Sequence, residues 1–423
     1  MATGTTTVQL IGIAASPFIT RLYGPEAFGI LGIFIAILSI MNPVATLTYS
    51  TAVVLPKTDT EAKNIVKTAF FASLIVAVAG AVLLILFKEP FISAFELDSI
   101  SGFVFLIPIV VLFIGAGQIL NQWLIRNAQY KKIAILSILK ALVINVSKVG
   151  AGLIHATAAM LIVLASFGYM LQAFMLYIGI SLKAEKRLDK ATGTGQEPIK
   201  ETEKSTDSAL QTARKYRNFP VYRAPQMLLG AFSKGIPVLL LAHFFGPAAA
   251  GFFSIANRVL QLPAGIIGKS IGSVFYPKVA DASNKQKNVR PYIIRATGGM
   301  AVMALLPMIV VGLFGPTLFE WVFGQGWNPA GHYARWLAVL IFFEFILHPS
   351  RDAMLVAGMQ KQLLVIESIF FVFKTVMLVT GFFLFNDDVS ALILYSLAGV
   401  AVSVLMLLYA HKKIPTTITH TYS

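Results

Sequence analysis

Seven basic side chains stand inside stretches otherwise apolar enough to cross a membrane: Lys140, Lys148, Lys234, Arg258, Lys269, Arg335 and Lys374. Only two acids, Glu344 and Glu367, are comparably placed, which leaves five of the seven cations without an acidic partner at that depth. A charge at the bilayer centre costs about 2.5–3.5 kcal/mol on the insertion scale, so five facing lipid would cost on the order of 15 kcal/mol. That rivals the whole stability of an ordinary fold. Such groups must snorkel to an interface, lie in a connection, or face water. Snorkelling suits Arg335 and Lys269, which are nearest span ends. The others describe an aqueous hollow lined by cations. It suits an anionic ligand, for which Arg offers bidentate phosphate contacts and Lys a point charge, and it repels organic cations.

Spacing adds to this. Arg223 and Lys234 are 11 residues apart, as are Arg258 and Lys269. Eleven steps of ~100° return to within about 20° of the start, so each pair shares a helix face roughly 16 Å apart in height; Pro263 weakens this for the second pair. With Arg21 at the end of the first span, the candidate anion-binding set is Arg258, Lys234, Lys140, Lys148, Lys269, Arg223 and Arg21. Glu367 and Lys374, seven apart, also share a face and could neutralise each other. Glu344, Glu367 and Lys374 are therefore candidates for ion coupling or, with more weight, for local counter-ions to Lys374 or Arg335. Asn42, Gln118, Asn121, Gln122, Tyr169, Gln172, Asn257 and Gln261 accompany the cations and could bond sugar hydroxyls or neighbouring helices. No enzyme constellation appears: the six histidines are scattered, no carboxylate pair or nucleophile motif stands out, and no metal site is expected.

The elements that must hold these groups follow from composition. The 423 residues are 57% hydrophobic and 13% charged, with a mean hydropathy of +0.77, where soluble chains carry about 25% charge. An all-α, polytopic membrane protein is expected. Spans fall near 5–20, 28–55, 66–87, 103–125, 133–154 and 157–182, then 219–243, 249–276, 292–315, 329–347, 359–385 and 389–410. The first is short for the ~20 residues a bilayer asks for, which leaves the completeness of the amino terminus open, and no cleavable signal is evident. The absence of cysteine removes disulfides and thiolate chemistry.

Positive charge marks alternate connections: Lys57, Lys63 and Lys67; Arg126, Lys131 and Lys132; Lys278, Lys285, Lys287 and Arg290; Arg351 and Lys361; Lys412 and Lys413. By the positive-inside rule both termini and the middle segment are cytoplasmic. Residues 183–218, mixed in sign and poor in large apolar groups, read as a polar tether between an amino-terminal lobe, 1–182, and a carboxy-terminal lobe, 219–423.

The halves share punctuation. Leu22-Tyr23-Gly24-Pro25-Glu26-Ala27-Phe28-Gly29 answers to Phe244-Phe245-Gly246-Pro247-Ala248-Ala249-Ala250-Gly251, 222 residues later. Each copy then meets a second proline, Pro43 or Pro263, and closes on Val54-Leu55-Pro56-Lys57 or Phe275-Tyr276-Pro277-Lys278. Six spans per half give both halves one orientation, so the repeat is parallel, about an axis along the membrane normal. Pro43 and Pro263 should kink their spans and are hinge candidates. Gly265, Gly268 and Gly272 allow close packing beside the second kink.

Thr20-Arg21-Leu22-Tyr23-Gly24-Pro25-Glu26-Ala27-Phe28-Gly29 and Ala52-Val53-Val54-Leu55-Pro56-Lys57 resemble polysaccharide biosynthesis flippases of the O-antigen translocase type, as do Gly251-Phe-Phe-Ser254-Ile-Ala-Asn257-Arg258-Val-Leu260 and Phe275-Tyr276-Pro277. These belong to the superfamily that also holds the multidrug and toxin extruders and the lipid II flippase. The resemblance implies two six-helix lobes around a central cationic cavity in a bacterial inner membrane. The lobes would carry an undecaprenyl-pyrophosphate-linked oligosaccharide outward by alternating access. No cofactor is implied; the membrane potential, H+ or Na+ could drive transport. Implied partners are the lipid-linked oligosaccharide, membrane lipids and other polysaccharide assembly proteins, and no nucleic acid. Arg258 falls within a matched motif, while Lys140, Lys148 and Lys234 rest on the charge argument. Two alternatives stand beside this: a multidrug or cation antiporter of the same superfamily, which would want an excess of intramembrane acids, and a membrane-embedded glycan polymerase or ligase.

Overall fold

The structure, a computed structural model, describes residues 2–94, 98–194, 209–284 and 288–413. Apolar runs without water must close their backbone hydrogen bonds within the segment, and the regular elements among the described residues are all helical. In order they are α1 (Ala2–Met41), α2 (Tyr49–Ala52), α3 (Asp59–Leu86), α4 (Lys88–Ala94), α5 (Leu106–Arg126), α6 (Tyr130–Ile154) and α7 (Ala158–Thr194). After them come α8 (Ala209–Lys215), α9 (Ala224–Asn284), α10 (Arg290–Phe323), α11 (Asn328–Ile346), α12 (His348–Val356), α13 (Gln360–Phe385) and α14 (Asp388–Lys413).

Ten helical runs among the described residues are long and apolar enough to cross a membrane, where twelve spans were expected. Two of the ten each take up two expected spans. The run Phe219–Gly265 has 47 residues, about 70 Å at 1.5 Å per residue against ~30 Å of hydrocarbon. It is broken at Gly246 (φ 83, ψ 172), as α1 is broken at Gly24 (φ 72, ψ 170). Positive φ at both is the conformation glycine takes without a Cβ penalty, and the proline that follows each restarts a helix at its first position. The first arm of α1, from Ala2 to this break, is longer than the 5–20 read from hydropathy.

The second prolines part company. At Pro43 the helix does not kink and continue: α1 ends at Met41, and the chain turns through residues 42–48 into the short α2. Pro263 instead lies within α9, whose recorded departure from helical φ/ψ is at Gly246.

Two compact units form, Met1–Tyr23 with Ile30–Leu239, and Gly24–Gly29 with Leu240–Ser423. In the first, α5 packs against α3 and α7, and α7 against α6. Thr58 caps α3 by accepting from the Glu61 amide, a capping-box spacing. Arg126, ending α5, binds Asp59 and donates to the Val53 and Pro56 carbonyls, which fixes the Val54–Lys57 motif. The polar segment is helical at both described ends: α7 runs on to Thr194 because Lys183–Ala191 is built of helix formers, and residues 195–208 lie outside the described residues. Beyond them α8 lies on α3, where Lys215 and Tyr216 both bind Glu61.

The second unit repeats the first unit's order of neighbours, with α11 against α10 and α14, and α14 against α13. Its glycines permit backbone contact. A Cβ on Gly29 would overlap the Pro247 carbonyl, and one on Gly251 the Pro25 carbonyl, so the two copies of the Gly-Pro motif clasp each other reciprocally within this unit. A Cβ on Gly331 of α11 would overlap the backbone of Pro316 in α10. Gly331→Ala is expected to cost about 1–3 kcal/mol by overpacking, read as a lower melting temperature of the purified protein. Gly80→Ala in α3, where nothing stands within 4 Å, should leave it unchanged or raised.

Candidate cationic site

In the first unit the best-defined cation is Lys140, near the middle of α6. Its Nζ donates to Gln172 Oε1 of α7 at 2.7 Å and stands 5.2 Å from the Tyr169 ring centroid. The stem passes Gly168, where a Cβ would stand in ordinary contact with Lys140 Cε at 3.6 Å. An amide oxygen and an aromatic face solvate an ammonium without cancelling its charge. Eight residues on, roughly 12 Å along the helix, Lys148 is half-buried and its carbonyl accepts from Tyr23.

Lys234 is exposed on α9 beside Gly235, which packs against Ile40 of α1. Arg223 is exposed in the π-helical turn Phe219–Arg223, and Arg21 is exposed one turn before the Gly24 break. Arg223 closes that turn and α9 begins at Ala224, so the eleven steps from Arg223 to Lys234 run along α9.

In the second unit Arg258 is exposed on α9 and makes no ion pair with another described residue. The side chain of Lys269 lies outside the described residues. Arg335 does not snorkel unbonded: its Nη2 donates to the Leu313 carbonyl of α10 at 3.0 Å.

Glu344, one of the acids expected as a counter-ion to Lys374 or Arg335, pairs with Lys374, whereas the Glu367–Lys374 pair does not form. Lys374 Nζ lies 3.0 Å from Glu344 Oε1 on α11, not against Glu367 seven residues away on its own helix. Glu367 binds Arg351 of α12 at 3.4 Å instead. Lys374 also stands 5.6 Å from the Tyr395 ring centroid on α14, and Gly399 makes space for it. Tyr395 carried no sequence signal beyond being a polar-tipped aromatic inside a span. His348 Nδ1 bridges the Glu344 and Phe345 carbonyls where α11 passes into α12. Among the described residues no group of three or more His, Asp or Glu could hold a metal ion.

In the first unit, then, Lys140 sits in a neutral cradle and Lys234 is exposed; in the second, Arg258 is exposed and Glu344 is paired with Lys374. With ten candidate spans, the chain is a multi-pass membrane protein.

A family model described as polysaccharide biosynthesis protein matches residues 1–283. Among curated proteins, the succinoglycan biosynthesis transport protein ExoT of Rhizobium meliloti (strain 1021) is 19% identical over 342 residues, 77% of this chain and 61% of that protein. The teichuronic acid biosynthesis protein TuaB of Bacillus subtilis (strain 168) is 20% identical over 149 residues, 35% of this chain and 31% of that one. The matched regions span less than two thirds of either relative. Among solved structures, the lipid II flippase MurJ in an inward closed conformation superposes with a TM-score of 0.75 at 14% identity, covering 97% of this chain and 87% of that one. An inward-facing multidrug resistance MATE family transporter of the MOP superfamily gives 0.74 at 13%, covering 96% and 94%. At such identities the likeness is one of fold.

Proposed function

The chain belongs to the polysaccharide biosynthesis protein family, and on that premise we propose that it is a flippase, a transporter and not an enzyme. It would move an anionic, undecaprenyl-pyrophosphate-linked oligosaccharide from the cytoplasmic to the outer leaflet of a bacterial inner membrane, with both termini cytoplasmic. Twelve spans follow if the runs broken at Gly24 and Gly246 each cross twice, and the shared order of neighbours in the two units supports a parallel six-plus-six repeat. Lys140 carries the reading: an ammonium placed mid-helix and held by Gln172 and Tyr169 keeps its charge for a ligand.

In this mechanism the cations capture the pyrophosphate, the glycan enters the wet hollow, and the lipid tail stays in the bilayer. Rocking of the lobes then exposes the site outside. With the cell interior negative, expelling each negative charge gains about 2.3 kcal/mol per 100 mV. The paired state of Glu344 favours a counter-ion role over coupling and speaks against the cation antiporter.

The test is a liposome sidedness assay with a pyrophosphate-linked glycolipid. Lys140→Met keeps the stem and removes the charge; losing one charge-assisted contact of about 1.5–3 kcal/mol lowers transport roughly ten-fold or more, with insertion and melting unchanged. Arg258→Ala and Lys234→Ala should also depress the rate. Unchanged rates in all three remove the cationic site. Elongated glycans in place of altered sidedness would replace the flippase with a polymerase.

A further inference from the structure

Only residues 386–387 separate α13 from α14, and so short a connection turns the second helix back along the first. The start of α13 therefore lies beside the end of α14. Between them a groove of about 650 Å³ opens, and its polar groups stand at one end. Lys361 and Gln362 come from the first turn of α13 and Tyr409 from the last turns of α14, whereas Val365, Phe370 and Leu405 offer only hydrocarbon. Met406, 1% exposed and part of a buried cluster with Leu363 and Ala410, fixes one wall.

The mouth is more basic than its lining alone. Lys412 and Lys413, three and four residues after Tyr409, share its helix face and are exposed, as is Lys361. None of the three lysines forms an ion pair with another described residue. Glu367, the acid of α13, is held by Arg351.

Depth is informative too. Nine residues separate Lys361 from Phe370, about 14 Å of helix, or roughly one leaflet of a ~30 Å hydrocarbon core. Val365 and Leu405 are 49% and 61% exposed, so the groove is open along its length.

We propose that this groove binds one anionic phospholipid, with an acyl chain along Val365, Phe370 and Leu405 and the phosphate at Lys361, Lys412 and Lys413. Gln362 and Tyr409 supply neutral hydrogen bonds to the headgroup. Basic side chains clustered at the end of a spanning helix favour anionic lipid, and a zwitterionic headgroup would bring an ammonium of its own among three others. A partner helix crossing the bilayer would need a seam about 30 Å long, twice what this groove provides. By the positive-inside rule the mouth lies in the cytoplasmic leaflet. A second groove on α13, along Thr375, Val379 and Phe383, has no charged residue and should show no headgroup preference. The site uses none of the cations assigned to the cargo.

The experiment is native mass spectrometry of the purified full-length protein titrated with phosphatidylglycerol, phosphatidylcholine, undecaprenyl phosphate or inorganic phosphate. One phosphatidylglycerol should be retained about ten-fold more tightly than phosphatidylcholine. Lys361→Gln combined with Lys412→Gln and Lys413→Gln should erase that preference and leave phosphatidylcholine binding as it was. Leu405→Trp, which fills the groove from its rim, should weaken both lipids about ten-fold. Equal retention of the two phospholipids, or a preference that survives the triple substitution, overturns the site. So does displacement of phosphatidylglycerol by inorganic phosphate, which leaves a plain anion patch, or by a lower concentration of undecaprenyl phosphate, which gives the groove to the carrier lipid. Lipid retention is read without transport, so failure here leaves the flippase reading standing.

Discussion

Glu344→Gln is expected to lower the unfolding free energy by about 3–5 kcal/mol, the cost of stranding one partner of a buried ion pair. The pair bridges α11 and α13 at 3.0 Å, with the Lys374 side chain 14% and the Glu344 side chain 27% exposed, and neither lies where water screens it fully. In Glu344→Gln the amide oxygen can still accept from the ammonium and the Tyr395 ring stays 5.6 Å away, but the counter-charge is gone. A quadrupole does not replace a full charge. Glu344→Gln combined with Lys374→Met should recover most of the loss, because removing both charges also removes their desolvation cost. Glu367→Gln breaks the more exposed pair with Arg351, at 3.4 Å, and should cost no more than about 1 kcal/mol. Melting temperatures of the four proteins in one detergent measure this, and equal shifts for Glu344→Gln and Glu367→Gln would refute the buried pair. The double variant also separates the roles of Glu344. If the acid is a counter-ion, transport survives in the double variant; if it couples an ion, transport fails while stability returns.

That pair marks where sequence reading stops. Glu367 and Lys374 share a face of one helix, but a face is not a contact. Both α11 and α13 pack on α14, and Lys374, passing Gly399 of α14, meets Glu344 thirty residues back. Composition was legible because spanning helices follow from apolar length, and the Gly24-Pro25 and Gly246-Pro247 breaks were legible because their chemistry is local. Pro43 and Pro263 look equivalent in sequence, yet one ends a helix and the other lies within one. The difference is tertiary: Asn42, Thr46 and Ser50 find Gln118 on α5, which supplies hydrogen bonds the broken helix has lost. In the polar segment, charge and low apolar content argue against a core but not against a helix, and α7 continues into it as far as Thr194. Lys140, Tyr169 and Gln172 were each visible as polar groups in apolar runs. Only the packing of α6 on α7 joins them.

Trp327→Ala should cost a further 3–5 kcal/mol or so, the range for emptying a large aromatic site, and it tests why the motif beginning at Gly24 is repeated at all. Trp327 is fully buried at the start of α11, and Phe28 and Phe252 meet it edge-on with centroids 5.5 and 6.2 Å away. Phe28 belongs to the short stretch Gly24–Gly29 that packs with the second unit. One indole therefore receives an aromatic from each half of the chain, beside the reciprocal contacts of Gly29 with Pro247 and Gly251 with Pro25. The turn that presents it needs glycine at Gly324 (φ 105) and Gly326 (φ 89). Trp327→Phe keeps a ring in the site and should lose less than half as much as Trp327→Ala. Phe28→Leu, which removes the edge-to-face partner but keeps apolar bulk, should cost about 0.5–1.5 kcal/mol. If Trp327 serves only local packing of α11, Phe28→Leu and Trp327→Ala will add independently. If the indole is the seat of Phe28, the double variant will fall short of the sum, since the second substitution removes a contact the first has already lost.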